Sequence, residues 1–149
     1  MKQTHKQVVI IGRPNVGKSA FVNRLLGRKL AITAREEGVT RDMRTYEQIW
    51  NGKTFNVCDT GGVILSKHPE NPYQEQINQK VIQALDGAYK ILFMVDYNHP
   101  EHPDDIQIRS AIKAYLNKTL LVINKADSFE RGQEISSFYS YGCPTMFPV

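Results

Sequence analysis

The sequence predicts an α/β fold: a three-layer sandwich built on a mostly parallel sheet, with one antiparallel hairpin at the sheet edge. Two observations predict it. Short runs of four or five consecutive apolar residues, the mark of strands covered on both faces, alternate with longer stretches whose apolar residues recur at helical spacing. Between two further strand-like segments stands Asn51-Gly52, the strongest short-range signal of a hairpin.

The elements follow in order. Val8–Ile11 is a buried strand ending at Gly12, and a helix follows from about Lys18 to Leu26, with Phe21, Val22, Leu25 and Leu26 on its apolar side and Gly27 as its stop. Residues 28–43 are polar and aperiodic and predict a long loop. Thr45–Trp50 and Lys53–Cys58 are the hairpin strands. A second long loop covers 59–72, broken by Pro69 and Pro72. A helix then runs from about Tyr73 to Leu85, carrying Ile77, Val81, Ile82 and Leu85. Ile91–Val95 is the next strand, Ile106–Leu116 a helix with Ile108, Ile112 and Tyr115, and Leu120–Ile123 another strand. A weaker helix is expected near Phe129–Phe138, and Thr145–Val149 opens a last strand.

Composition narrows the function. The 149 residues suit one domain, and 41% hydrophobic with 23% charged residues argues against disorder. Nineteen basic and fifteen acidic side chains give +4, but residues 1–60 hold eleven and five of them, the remainder eight and ten. The N-terminal half therefore suits an anionic partner, RNA or nucleotide phosphate. Two cysteines, Cys58 and Cys143, exclude a disulfide scaffold and read as reduced, buried thiols. No apolar run exceeds five residues, far short of the roughly 20 of a membrane-spanning helix. The first seven residues lack the apolar stretch of a signal peptide. A soluble, cytoplasmic protein with no membrane contact is expected.

Gly12-Arg13-Pro14-Asn15-Val16-Gly17-Lys18-Ser19 fits G-x-x-x-x-G-K-[ST], and it follows a buried strand and opens a helix, as a phosphate-binding loop must. The glycines let the backbone wrap phosphate oxygens and turn its N–H groups inward. The helix N-terminus adds partial positive charge. Lys18 brings a full charge to the β- and γ-phosphates, and the Ser19 hydroxyl suits Mg²⁺. Asn124-Lys125-Ala126-Asp127 follows the strand Leu120–Ile123 and so lies at the same sheet edge. Guanine offers two adjacent donors, which one carboxylate, that of Asp127, can accept, whereas adenine would set an acceptor against it. Lys125 can lay its stem along the base, and Asn124 can hold the loops through its amide. Asp59-Thr60-Gly61-Gly62, after the strand Lys53–Cys58, fits D-x-x-G: Asp59 would hold Mg²⁺ through water and the Gly62 N–H would sense the γ-phosphate. Thr40, within Gly38-Val39-Thr40-Arg41-Asp42, would complete the metal shell when GTP draws its loop inward.

With these elements in this order, the chain resembles the translation-factor-related P-loop GTPases of Ras-like fold, and within them the first G domain of the Der (EngA) family of ribosome-assembly GTPases. The resemblance covers essentially the whole chain and rests on GRPNVGKS at 12–19, GVTRD at 38–42, DTGG at 59–62 and NKAD at 124–127. Era- and MnmE-like GTPases share much of this pattern. The resemblance implies Mg²⁺-dependent hydrolysis of GTP to GDP and phosphate, a nucleotide-controlled switch, and association with the large ribosomal subunit. The alternative is a nucleotide-dependent docking module for ribosome or RNA. The family's second G domain, its KH-like domain and the fifth G element, an S-A pair, have no counterpart here, so a single G domain truncated at its C-terminus is expected over 1–149. Asn98–Pro103 is rich in His and Pro where the family has a Gly-containing loop.

Val63 stands where Ras-like enzymes place the glutamine that orients the attacking water, so unaided hydrolysis is expected to be slow. The resemblance implies that K⁺ is recruited through the Asn of the phosphate loop in place of that glutamine; Asn15 matches that Asn and joins Lys18, Thr40 and Gly62 as a catalytic candidate, with K⁺ offsetting charge on the β–γ bridge. Arg28, Arg35, Arg41 and Arg44 read as mostly solvated. His99 and His102 are expected in an exposed loop rather than a metal site, and His5 and His68 have no evident partners. Trp50 is expected to cover the sheet face, and Tyr139 and Tyr141 to pack.

Overall fold

The computed structural model describes residues 5–27, 32–35, 43–61, 65, 68–126 and 135–149. Among them, seven strands form one sheet: β1 (Lys6–Ile11), β2 (Ile32–Arg35), β3 (Arg44–Trp50), β4 (Lys53–Asp59), β5 (Lys90–Asp96), β6 (Thr119–Asn124) and β7 (Thr145–Pro148), in the order β2-β3-β4-β1-β5-β6-β7. From β4 to β7 every pairing is parallel. β3 runs antiparallel to both its neighbours. The turn between β3 and β4 has positive φ at both Asn51 (50°) and Gly52 (72°), the geometry that follows the strands' twist. β2 corrects the reading of 28–43 as loop throughout: four alternating residues paired on one side make an edge strand without needing an apolar run.

Strand alternation divides the core between two faces. Ile10 and Val57 meet Val22 and Leu26 of α1 (Lys18–Leu26) on one side. Val9, Ile11 and Cys58 meet Val81 and Leu85 of α2 (Pro72–Asp86) and Ile108 of α3 (Pro103–Ala111) on the other. These are the three layers. Both cysteines are buried and unbridged.

Caps explain where α2 and α3 start. Asn71 Oδ1 accepts from the Gln74 N–H at 2.8 Å ahead of Pro72, and His102 Nδ1 accepts from the Asp104 N–H at 3.1 Å ahead of Pro103. His102 is thus a cap. α3 stops at Ala111, earlier than its periodicity suggests, and Lys113–Lys118 tightens into a 3₁₀ turn. The chain must enter β6 at Thr119, and the Lys118 ammonium is tied to the carbonyls of Asp86 (3.1 Å) and Ala88 (2.8 Å). Of the helix expected near Phe129–Phe138, residues 129–134 lie outside the described residues, and Ser136–Tyr141 forms a 3₁₀ turn burying Phe138 and Tyr141. Tyr139 does not pack, and Trp50 ends β3 with 70% of its surface exposed instead of covering the sheet. His5 lies 3.8 Å from Glu47, a partner no local pattern announces.

Candidate functional site

The parallel strands β1, β4, β5 and β6 all end at one rim, so the segments that follow them, beginning at Gly12, Thr60, Tyr97 and Lys125, are brought together.

The loop after β1 needs its glycines. A Cβ on Gly12 would stand 2.6 Å from the Met94 carbonyl oxygen. Gly17 has φ of +97°, and a Cβ there would stand 2.3 Å from Asn124 Nδ2. Asn15 also has positive φ (68°), which asparagine tolerates. Val16 anchors the loop from below, fully buried beside Met94 and Val122. α1 then begins with no side-chain cap and no acidic residue in its first turn, leaving its leading N–H groups to an anion. Lys18 Nζ curls into the loop and donates to the carbonyls of Gly12 (2.7 Å) and Arg13 (3.0 Å). Burial pushes its pKa down, and the carboxylate of Asp59 acts against that.

Not every side chain of the loop faces outward. Arg13 turns back into the protein, its Nε 3.3 Å from Asp105 Oδ2 in α3. Pro14, Asn15 and Ser19 are exposed.

Asp59 is buried, its Oδ1 accepting from the Gly61 N–H at 2.9 Å. Thr60 directs its hydroxyl inward to the Ile10 carbonyl (2.8 Å), which also accepts from its N–H (3.3 Å). Thr60 therefore braces the loop against β1. No group of three or more His, Cys, Asp or Glu that could hold a metal occurs among the described residues. A divalent cation here would draw on the Ser19 hydroxyl, Asp59 and the oxygens of a bound phosphate, a hard-oxygen set suited to Mg²⁺.

From β6, Asn124 Nδ2 donates to the Val16 carbonyl at 2.8 Å across 108 residues of chain. Lys125, at φ of 66°, places Nζ 2.9 Å from Asp96 Oδ2 and 3.2 Å from the Asn15 carbonyl. For Asp96, burial acts to raise the carboxyl, but the hydrogen bonds from Lys125 and the Asn98 N–H outweigh it and hold the group below its usual range. Beside Asn124 lies a cleft of about 370 Å³, bounded by Gly17, Ala20, Phe21, Leu25 and Val149. The Ala126 N–H donates to the Val149 carbonyl at 3.1 Å, which fastens the chain's last residue to this side of the rim.

The structure thus brings Gly12–Ser19, Asp59–Gly61, Asn124 and Lys125 to one rim. Thr40, Gly62 and Asp127 lie outside the described residues. Asp96 and Asp105 were not anticipated. For Asp96 a signal existed, since an acidic residue directly after the buried run Ile91–Val95 must reach the same rim; for Asp105 none did.

The family model described as 50S ribosome-binding GTPase matches residues 7–125. GTPase Der of Aquifex aeolicus is 39% identical over 145 residues, covering 96% of this chain and 33% of that protein. GTPase Der of Cytophaga hutchinsonii is 40% identical over 142 residues, covering 95% and 32%. The chain spans about a third of the length of these relatives. In fold it is similar to Era in complex with MgGDPNP and a stretch of 16S ribosomal RNA, with TM-score 0.72 and 26% identity over 98% of this chain and 51% of that one. A point variant of Aquifex aeolicus Era bound to GDP·AlF₄⁻ gives TM-score 0.69 and 29% identity, over 96% and 50%.

Proposed function

The chain belongs to the 50S ribosome-binding GTPase family, and we propose that its residues form a single G domain that binds GTP and GDP with Mg²⁺ and hydrolyses GTP to GDP and phosphate. The observation that carries this is the phosphate loop's construction: two sterically required glycines, an uncapped helix N-terminus and a lysine ammonium gathered into one cup. The N–H groups of the loop and of α1 take the phosphate oxygens, and Lys18 adds the full charge that a triphosphate demands. Ser19, Asp59 and Thr40 would hold the metal, and the Gly62 N–H would sense the γ-phosphate. The purine enters the cleft beside Asn124, and Asp127 selects guanine by accepting from its two donors.

Val63 offers no hydrogen bond to the attacking water. Asn15, exposed at the loop's crest, is the residue that would hold a K⁺ ion, which would supply positive charge to the developing transition state. The output of the cycle is a conformational switch read by the large ribosomal subunit, in the cytoplasm, as part of a longer protein with a second G domain and a KH-like domain.

Titration with a fluorescent GDP analogue, challenged with GTP, ATP and XTP, tests the reading. Guanine nucleotides should displace the probe and ATP should not, by about 10³-fold or more, because adenine leaves the Asp127 carboxylate unpaired. Asp127→Asn should move the preference toward xanthine. Equal competition by ATP would sink the assignment. Turnover compared in KCl and NaCl at one ionic strength decides the potassium role, which equal rates would remove.

A further inference from the structure

We propose that Asp105 is a positioning residue for the phosphate loop, fixing through Arg13 the backbone that aims Lys18 and so governing how long nucleotide is retained. The proposal rests on the reading of that loop as a nucleotide site.

Arg13 sits between Gly12, where no side chain fits, and Pro14. A residue before proline is confined to extended backbone. Its guanidinium runs away from the loop's mouth to α3, where Nε meets Asp105 Oδ2 at 3.3 Å, 92 residues along the chain. The pair is shut off from water: the Asp105 side chain is fully buried and that of Arg13 is 10% exposed. Yet, among the described residues, Arg13 Nη2 and Asp105 Oδ1 are each left without a hydrogen-bond partner. Buried ion pairs with unmet polar atoms add little stability over apolar residues of the same volume, so stability alone does not account for this one. Burial raises the Asp105 carboxyl above its usual range against the pull of Arg13, another sign that the charge sits there at a cost.

What the pair does accomplish is geometric. With its side chain anchored and the following residue a proline, Arg13 has little freedom left for its carbonyl, and that carbonyl accepts from Lys18 Nζ at 3.0 Å. The anchor is itself fixed: α3 is capped by His102 at one end and buries Ile108 in the core. Asp105 also acts on Lys18 directly through its charge. A rigid post in α3 thus sets the angle of the loop's principal cation.

Three variants and two measurements test this, the melting temperature and the release rate of a fluorescent GDP analogue in the presence of Mg²⁺. Asp105→Leu strands the Arg13 charge and should lower the melting temperature. Arg13→Met with Asp105→Leu replaces the pair by apolar volume and should restore it to near the parent's. Both should release GDP about tenfold faster than the parent, because the carbonyl of residue 13 is no longer held. Asp105→Asn keeps an acceptor for Arg13 and should change release by about threefold at most. If release in the double variant recovers together with the melting temperature, or if it is unchanged throughout, the pair is merely structural and the proposal is wrong. Should Asp105→Leu fail to fold, the other two variants decide. A parent chain that does not bind the analogue overturns the nucleotide-site reading itself, and this inference with it.

Discussion

At the phosphate end of the rim, shape comes from what is missing: Gly12 and Gly17 lack the atoms that would strike Met94 and Asn124, and α1 lacks a capping side chain. At the base end, shape comes from what reaches across. Asn124 gives an amide hydrogen to the Val16 carbonyl, and Lys125 divides its ammonium between the Asn15 carbonyl and Asp96. Asn124 and Lys125 therefore commit their polar groups to the phosphate loop and to Asp96, and the proposed function gives selection of the base to Asp127. The two ends are one mechanical unit, so damage at the base end should be felt by phosphate.

The largest effect is expected at their point of closest approach. Gly17→Ala places a methyl group 2.3 Å from Asn124 Nδ2 in a backbone at φ of +97°. It must break the Asn124 bridge or distort the loop, and nucleotide affinity should fall by about 100-fold or more, a loss of roughly 3 kcal/mol. Gly142→Ala is the control: φ is +72°, but the nearest atom is a flexible leucine methyl at 3.7 Å. It should cost about 1 kcal/mol of stability and leave affinity alone. Equal losses of affinity in the two variants would refute the steric account.

Asn124→Ala sharpens the comparison with a smaller effect. It removes the bridge to the Val16 carbonyl without adding bulk, and GDP affinity should drop about tenfold, in line with one lost hydrogen bond to a part-buried group. The telling ligand is magnesium pyrophosphate, which has no base. If Asn124 serves the phosphate loop, pyrophosphate should lose affinity by about the same factor as GDP. If it serves the base alone, pyrophosphate competition will be unaffected.

Much of this was legible along the chain. The phosphate loop and the Asn51-Gly52 turn declare themselves because local backbone geometry demands particular residues at fixed spacing. Asn124 and Lys125 are legible because a buried strand must end at the rim. What escaped reading were relations across the fold. β2 escaped because an edge strand of four residues needs no apolar signature. α3 ended early because entry into β6, not periodicity, sets its length. The Arg13 side chain meets Asp105, a partner 92 residues away that no spacing rule couples to it.

The smallest effect concerns Asp96, which the comparison makes the support behind Lys125. Its carboxyl lies below the usual range, since the bonds from Lys125 and the Asn98 N–H overcome the burial that opposes them. A depressed carboxyl pKa means that the fold favours the charged form. The stabilisation is therefore complete above the unfolded value, near 4, and drains away as pH falls through the folded one. Because the Lys125 side chain is 45% exposed, screening limits the pair to on the order of 1 kcal/mol or less. Asp96→Asn should start with a slightly lower melting temperature than the parent at about pH 7 and fall less steeply on acidification, the two curves converging near pH 3. Parallel curves would show that the acid sensitivity lies elsewhere. Lys125 keeps the Asn15 carbonyl in this variant, so GDP affinity at neutral pH should fall by less than in Asn124→Ala. A larger fall would mean that the lysine, and not the asparagine, is the main tie between the two ends.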